Sequence, residues 1–308
     1  MAVGCGDTLR GVFESIDDVE RRLAEQRYFA DRELATAVYL ASRLKKPLLL
    51  EGVAGIGKSE VAAALARAVD TPLFSLQCYP GIDASAAFYE WNYSKQLVRI
   101  HLSHSGEEVR PDVEREVFSE DYLVKRPVLA ALSHRGSKPA VLLVERVDRA
   151  GDEFQLALLD VLSEWKVRVP ELCVFEAENP PLVFLTSGGA KPVNESLQRR
   201  CMYHWMDYPD FDREVGIVSA TVPGAAAGLV RQACNIVRIL RHEPFARPPG
   251  VSETVDWVRG LTLLHREVVD QQVMDQTVGC LFKDAHDIEH FRTLHLSGLL
   301  RFGLDREG

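Results

Sequence analysis

The run Gly52-Val-Ala-Gly55-Ile-Gly57-Lys58-Ser59 constrains this chain more than any other stretch. It spells G-x-x-x-x-G-K-[ST], and each residue type in that pattern has a physical task. Glycine lets the backbone turn tightly, so that successive N–H groups point inward at one anion. Lys58 supplies a cation for β- and γ-phosphates, and Ser59 a hydroxyl for Mg²⁺. The flanks fit. Pro-Leu-Leu-Leu over 47–50 reads as a short buried strand, and 60–67 is rich in strong helix formers. Strand, loop and helix together place an anion at the positive end of a helix dipole. The pattern therefore predicts that Gly52, Val53, Ala54, Gly55, Ile56, Gly57, Lys58 and Ser59 cradle a nucleoside triphosphate. The bland alternative is a glycine-rich turn with no ligand.

Length and patterning extend the expectation. A chain of 308 residues holds about two domains. Helices are expected over 12–27, with Ser15 as N-cap, and over 32–45, capped by Asp31 and ended by Pro47. Apolar runs at 71–77, 141–144 and 181–186 join 47–50 as strands, with helical stretches between them such as 152–165. Alternating helices and fully apolar strands predict an α/β domain with a parallel sheet covered on both faces. Strand signals stop near residue 213, and the remaining third is helical, broken at Pro223-Gly224, at Pro244, at 248–250 and near 284. The expected domains are 1–212, α/β and nucleotide-binding, and 213–308, a smaller helical lid.

Composition narrows the classes. A net charge of −9 gives no global basic footprint for nucleic acid. No apolar run approaches the roughly 20 residues of a membrane span. Met1 to Asp7 lacks the charged and apolar regions of a signal peptide, so a cytoplasmic location is expected. The six cysteines (5, 78, 173, 201, 234, 280) form no C-x-x-C pair and read as reduced, mostly small core residues.

A triphosphate-hydrolysing site needs a second element, an apolar strand ending in a carboxylate for Mg²⁺ and a neighbouring base that orients water. Val141-Leu-Leu-Val144 supplies the strand and Glu145 the carboxylate, one methylene longer than Asp. The next residue is Arg146, whose guanidinium stays protonated and cannot act as a base. Asp148 lies further along, in the wrong register for the same spot. The alternative is an ordinary core strand with an incidental carboxylate.

Several strings now point to a family. The glycine loop, Leu76-Gln-Cys-Tyr79, Tyr89-Glu-Trp-Asn-Tyr93, Val147-Asp-Arg-Ala150 with Glu153-Phe154, 199–205 and 248–257 resemble the MoxR branch of AAA+ ATPases, most closely its CoxD type. Those proteins are associated with maturation of molybdenum-containing carbon monoxide dehydrogenase and related hydroxylases. The resemblance spans about 12–290. It implies an αβα P-loop domain with a helical lid, ATP and Mg²⁺ as cofactors, self-association into a ring, usually a hexamer, and a metalloenzyme client. On this resemblance Ser59 and Glu145 hold Mg²⁺ and Glu145 falls at the catalytic strand's Asp. Arg146 replaces the usual catalytic Glu, and Gly188 stands where a polar sensor, commonly Asn, is found, with Ser187 or Thr186 as substitutes. Arg200 falls where an arginine reaches a neighbour's γ-phosphate, with Arg199 adjacent, and Thr254 lies near the place of a second sensor Arg. Without the resemblance, Arg199 and Arg200 read first as a solvated helix end and only second as a cation offered to a phosphate in trans.

Other clusters have plainer readings. Tyr89–Tyr93 fits either a client or subunit contact or a packed edge over the sheet. His286 and His290 share helical spacing, with His295 beyond, but read as a solvated face. Asp207, Asp210 and Asp212 fit turns and a helix cap, Asp17, Asp18 and Glu20 first-turn acids, and 106–108 with Glu114 and Glu116 a solvated loop. The expected function is an ATP-binding maturation chaperone. The rivals are a non-hydrolysing, nucleotide-gated scaffold of a mixed ring and an unrelated P-loop enzyme such as a kinase.

Overall fold

A computed structural model describes residues 12–104 and 113–294. Met1–Asp7 with Cys5, the acids at 106–108 and His295 lie outside the described residues, as does the side chain of Glu114. The chain divides into two compact units. One holds the described residues of Met1–Arg22, Asp31–Glu51 and Val61–His204, and the other Leu23–Ala30, Gly52–Glu60 and those of Trp205–Gly308.

The first unit is α/β. Helices α1 (Ile16–Glu25) and α2 (Arg32–Leu44) lead in. Ser15 Oγ accepts from Asp18 N at 3.1 Å, and the Asp31 carboxylate accepts from Leu34 N at 2.7 Å, so both expected N-caps are made. Helix α2 ends within one residue of the expected 45: Lys45 turns left-handed (φ 51°) and its N–H returns to Ala41 O, which closes the helix. Next come β1 (Leu48–Gly52), α3 (Lys58–Val69) and β2 (Leu73–Gln77). A short helix α4 (Ala84–Ala87) and strand β3 (Tyr89–Trp91) are followed by α5 (Tyr93–His104), α6 (Val113–Val117), β4 (Leu123–Lys125) and α7 (Pro127–Leu132). Then come β5 (Val141–Glu145), α8 (Asp152–Glu164), β6 (Lys166–Val169), β7 (Cys173–Glu176), β8 (Leu182–Ser187), α9 (Glu195–Arg200) and β9 (Met202–Met206).

The main sheet has five strands in the order β2-β5-β8-β1-β9. The four apolar runs read from the sequence are its β1, β2, β5 and β8, paired in parallel, with Leu48 opposite Phe184, Val144 opposite Leu185 and Leu76 opposite Val144. Strand ends Glu51, Gln77, Glu145 and Ser187 therefore share one edge. The core is a continuous apolar cluster in which Leu49, Leu142, Val144 and Leu185 meet Leu158 and Leu162 of α8. Two antiparallel pairs, β3 with β4 and β6 with β7, stand outside that sheet. Tyr89–Trp91 is thus strand, and Tyr93 begins a helix.

The second unit is helical beyond β9, with α10 (Phe211–Thr221), α11 (Ala227–Leu240), α12 (Val251–Leu263), α13 (Gln271–Leu281) and α14 (Ala285–Thr293). The expected breaks fall between these helices, and a further break separates α12 from α13. Trp257, Phe282 and Phe291 anchor its core, and the Trp257 indole N–H donates to Thr277 Oγ1 at 2.8 Å. A bidentate ion pair is buried there. Arg241 Nη1 and Nη2 reach the Glu214 carboxylate at 2.6 and 2.7 Å, with side-chain exposures of 6% and 2%. No helix among the described residues is long and apolar enough to cross a membrane. Of the cysteines, Cys78 and Cys234 are buried, Cys201 and Cys280 half-buried and Cys173 exposed.

Candidate functional site

The glycine loop lies in the helical unit. Gly52 has φ 150°, and a Cβ there would run into the Met206 carbonyl oxygen, so no other residue fits. Gly55 and Gly57 turn left-handed, at φ 72° and 86°, which curls the backbone before α3 begins at Lys58. The Lys58 ammonium folds back over its own loop, donating to Gly52 O at 2.9 Å and Val53 O at 2.6 Å. Ala54 is exposed, and Val53, Gly55, Ile56, Gly57, Lys58 and Ser59 are half-buried, so the loop is reachable from solvent. Tight glycine curvature, a helix N-terminus and an ammonium form the donor set a phosphate chain requires. On this test the residues present fit a triphosphate.

The second element lies in the α/β unit. Val141–Val144 are buried, and Glu145, half-buried at the strand's end, accepts a long hydrogen bond from Ser75 Oγ at 3.4 Å. The Glu145 carbonyl accepts from Cys78 N at 2.9 Å, which ties the ends of β5 and β2. Arg146 then adopts a left-handed conformation (φ 56°), and its backbone N–H donates to Thr186 Oγ1 at 3.0 Å. Its side chain is exposed and makes no ion pair among the described residues. Asp148, in the single helical turn after it, is only 1% exposed. Its Oδ2 accepts from Ala190 N at 2.8 Å, while Oδ1 is buried with no hydrogen-bond partner among the described residues.

Neither hydroxyl offered by the sequence beside Gly188 stands idle. Thr186 holds the Arg146 backbone, and Ser187 Oγ donates to Glu51 Oε1 at 2.9 Å. The other Glu51 oxygen, Oε2, accepts from the Tyr203 hydroxyl at 3.1 Å. Burial and the bond to Glu51 both push the Tyr203 hydroxyl above its ordinary pKa. Sequence reasoning does not place Glu51 and Tyr203 at a site. The available signal is a lone carboxylate ending an apolar strand, directly before Gly52.

Arg199 and Arg200 occupy the last turn of α9. Arg199 is exposed and pairs with Glu195. Arg200 Nη2 lies 3.3 Å from both Leu162 O and Ser163 O, where it complements the carboxyl end of α8, and its buried Nε has no partner among the described residues. Thr254, in the helical unit, is fully buried and its hydroxyl donates to Glu214 Oε1 at 2.8 Å. Asp210 caps α10 through Arg213 N at 2.9 Å, and Asp18 binds Arg21 and Arg22. His286 is exposed, the His290 ring packs edge-on against Phe245 at 5.0 Å, and no metal-ligand cluster forms among the described residues.

Residues 47–201, a little over half the chain, match the family model of the AAA domain, dynein-related subfamily. No curated protein matches the chain. Among solved structures the chain is similar to the Thermotoga maritima RuvB Holliday junction branch migration motor, at 12% identity over 94% of this chain and 84% of that one, with a TM-score of 0.44. A mutant of that protein gives 12%, 94%, 84% and 0.46, and another variant 13%, 96%, 85% and 0.45.

Proposed function

Because the chain belongs to the AAA domain family, in its dynein-related subfamily, we propose that it is an ATP-binding remodelling protein of the MoxR type. Its client on this reading is a metalloenzyme, of the molybdenum hydroxylase kind to which carbon monoxide dehydrogenase belongs. The loop Gly52–Ser59 would hold the phosphates of ATP, with Lys58 as the cation. Ser59 and Glu145 would hold Mg²⁺, which when bound neutralises phosphate charge. The domains would be 1–212 and 213–308, assembled as a ring, a hexamer, in the cytoplasm. Arg200, with Arg199 beside it, would face a neighbour's nucleotide. The observation that carries the reading is the loop itself: glycine conformations, helix start and Lys58 are all in place. The strings at 89–93 and 199–205 favour the MoxR branch.

A second reading has its own observation. Arg146, which the resemblance sets where a water-orienting carboxylate is expected, is exposed and makes no ion pair among the described residues. A cation there favours bound phosphate and supplies no base, so the chain would act as a nucleotide-gated scaffold. Single-turnover hydrolysis separates the two. If the scaffold reading holds, wild-type chain binds ATP without turnover, and Arg146→Glu, with Glu145→Asp, raises the rate by about 10²–10⁴-fold. Wild-type turnover that Lys58→Ala abolishes removes the scaffold reading. Failure to bind ATP removes both.

A further inference from the structure

The loop has a neighbour inside its own unit, and one of that neighbour's residues, Glu253, has no task in the nucleotide reading. The start of α12 packs on it, backbone against backbone. Ser252 N donates to Gly55 O at 2.9 Å. A Cβ on Gly250 would stand 2.6 Å from the Ala54 carbonyl oxygen and 2.9 Å from Gly55 Cα. A Cβ on Gly55 would meet Glu253 Oε2 and Ser252 Oγ, each at 2.6 Å. Two glycines from distant parts of the sequence face each other because neither position has room for a side chain. The group that closes this contact is the Glu253 carboxylate. Its Oε2 accepts from Gly250 N at 2.9 Å and from Ser252 Oγ at 3.0 Å, which fixes the first turn of α12.

We propose that Glu253 is a positioning residue for the phosphate-binding loop. It holds Gly250 and Ser252 as a clasp on Gly55, and the clasp fixes the backbone whose N–H groups receive the phosphates. The inference rests on reading Gly52–Ser59 as a triphosphate site. A loop with three glycines in eight residues has a large conformational entropy to lose. Its anion affinity depends on having lost that entropy before the ligand arrives. The loop has no regular structure of its own to supply the restraint, and the clasp does so from outside. The role needs an acceptor oxygen at the Glu253 position, and a glutamine carbonyl offers one.

The experiment is titration of the full chain with ATP and with inorganic tripolyphosphate, alongside melting of the ligand-free protein. Glu253→Ala is expected to weaken both ligands by about fivefold to tenfold, the scale of a lost cap. Glu253→Gln is expected to restore binding to within about twofold of wild type. Gly55→Ala should lose less in the Glu253→Ala background than alone, because one of the groups its Cβ meets is gone. Wild-type affinity in Glu253→Ala overturns the proposal, as does a Gln variant as weak as Ala, or strict additivity with Gly55→Ala. Should Glu253→Ala fail to fold, Glu253→Asp, one methylene short of Gly250 N, takes its place with the same expected loss. If wild type binds neither ligand, or if Lys58→Ala binds both unchanged, the triphosphate reading itself has failed and the clasp falls with it.

Discussion

The glycine loop and the acidic end of β5 are both expected to serve one chemistry, yet they are built from different material. The loop is almost all backbone: glycines of fixed curvature, a helix start and one side chain, Lys58, returned to loop carbonyls. The strand end is mostly side chain: Glu145, Asp148, Thr186, Ser187, Glu51 and Tyr203 are each placed by what they bond to, and Arg146 is held by its backbone N–H. The two also differ in how completely buried charge is satisfied. In the loop's unit, Glu214 receives Arg241 twice and Thr254 once. In the strand's unit, Asp148 is as deeply buried but leaves Oδ1 with no hydrogen bond among the described residues. A fully bonded buried charge rigidifies its surroundings, whereas a half-bonded one leaves a cost unmet.

The largest effect that tests this contrast is expected at Glu214. Removing one partner of a buried pair strands the other charge, and Glu214→Ala should cost about 3–5 kcal/mol of unfolding free energy. The measurement is denaturant unfolding of wild type and variant. Among the described residues Arg241 would keep Pro249 O at 2.8 Å and a long contact to Thr254 at 3.5 Å, with its guanidinium over the Tyr208 ring. A loss below about 1 kcal/mol, the range of an exposed pair, would show that this pair does not hold the helical unit together.

Asp148 should respond in the opposite way. Asp148→Asn keeps an oxygen for Ala190 N and removes a carboxylate that has no further hydrogen bond among the described residues. The expected change in stability is within about 1 kcal/mol, the scale of a single net hydrogen bond. It should also lower the Cys78 thiol pKa, because burial is the main cause that raises it and the Asp148 charge the second. A loss of several kcal/mol would mean that the Asp148 carboxylate is indispensable at the strand end, and the contrast with Glu214 would disappear.

The same division explains which parts of the molecule are legible in the sequence. Backbone features are spelled by residue type: the loop, the caps Ser15 and Asp31, and four apolar runs whose parallel pairing follows from their composition. Strand β9 is hidden because its burial alternates along an edge, and β3, β4, β6 and β7 because three or four residues carry too little pattern. Side-chain convergence is hidden for a deeper reason. Glu51 and Tyr203 are 152 positions apart, and Arg200 folds onto carbonyls of a helix 37 and 38 positions earlier. Only the sheet order and the path of the chain bring such groups together.

The smallest effect is the most discriminating between the two units. Burial pushes the thiols of Cys78, Cys201 and Cys234 up to about 12, from an ordinary 9.0. Because the folded-state pKa is the higher one, the stabilisation is whole below pH 9.0 and is lost as pH rises towards about 12, where the folded thiols also ionise. At pH 8 the exposed Cys173 should react with a thiol reagent at once, while Cys78 and Cys234 wait for local opening. Cys78 hangs from the Glu145 carbonyl beside the half-bonded Asp148, and Cys234 lies in the helical core near the fully bonded Glu214. If unmet bonding loosens the strand end, Cys78 is labelled several times faster than Cys234, since about 1 kcal/mol of opening free energy is a factor of roughly five. Equal rates, or Cys234 first, would mean that the orphaned carboxylate oxygen costs the strand end nothing in rigidity.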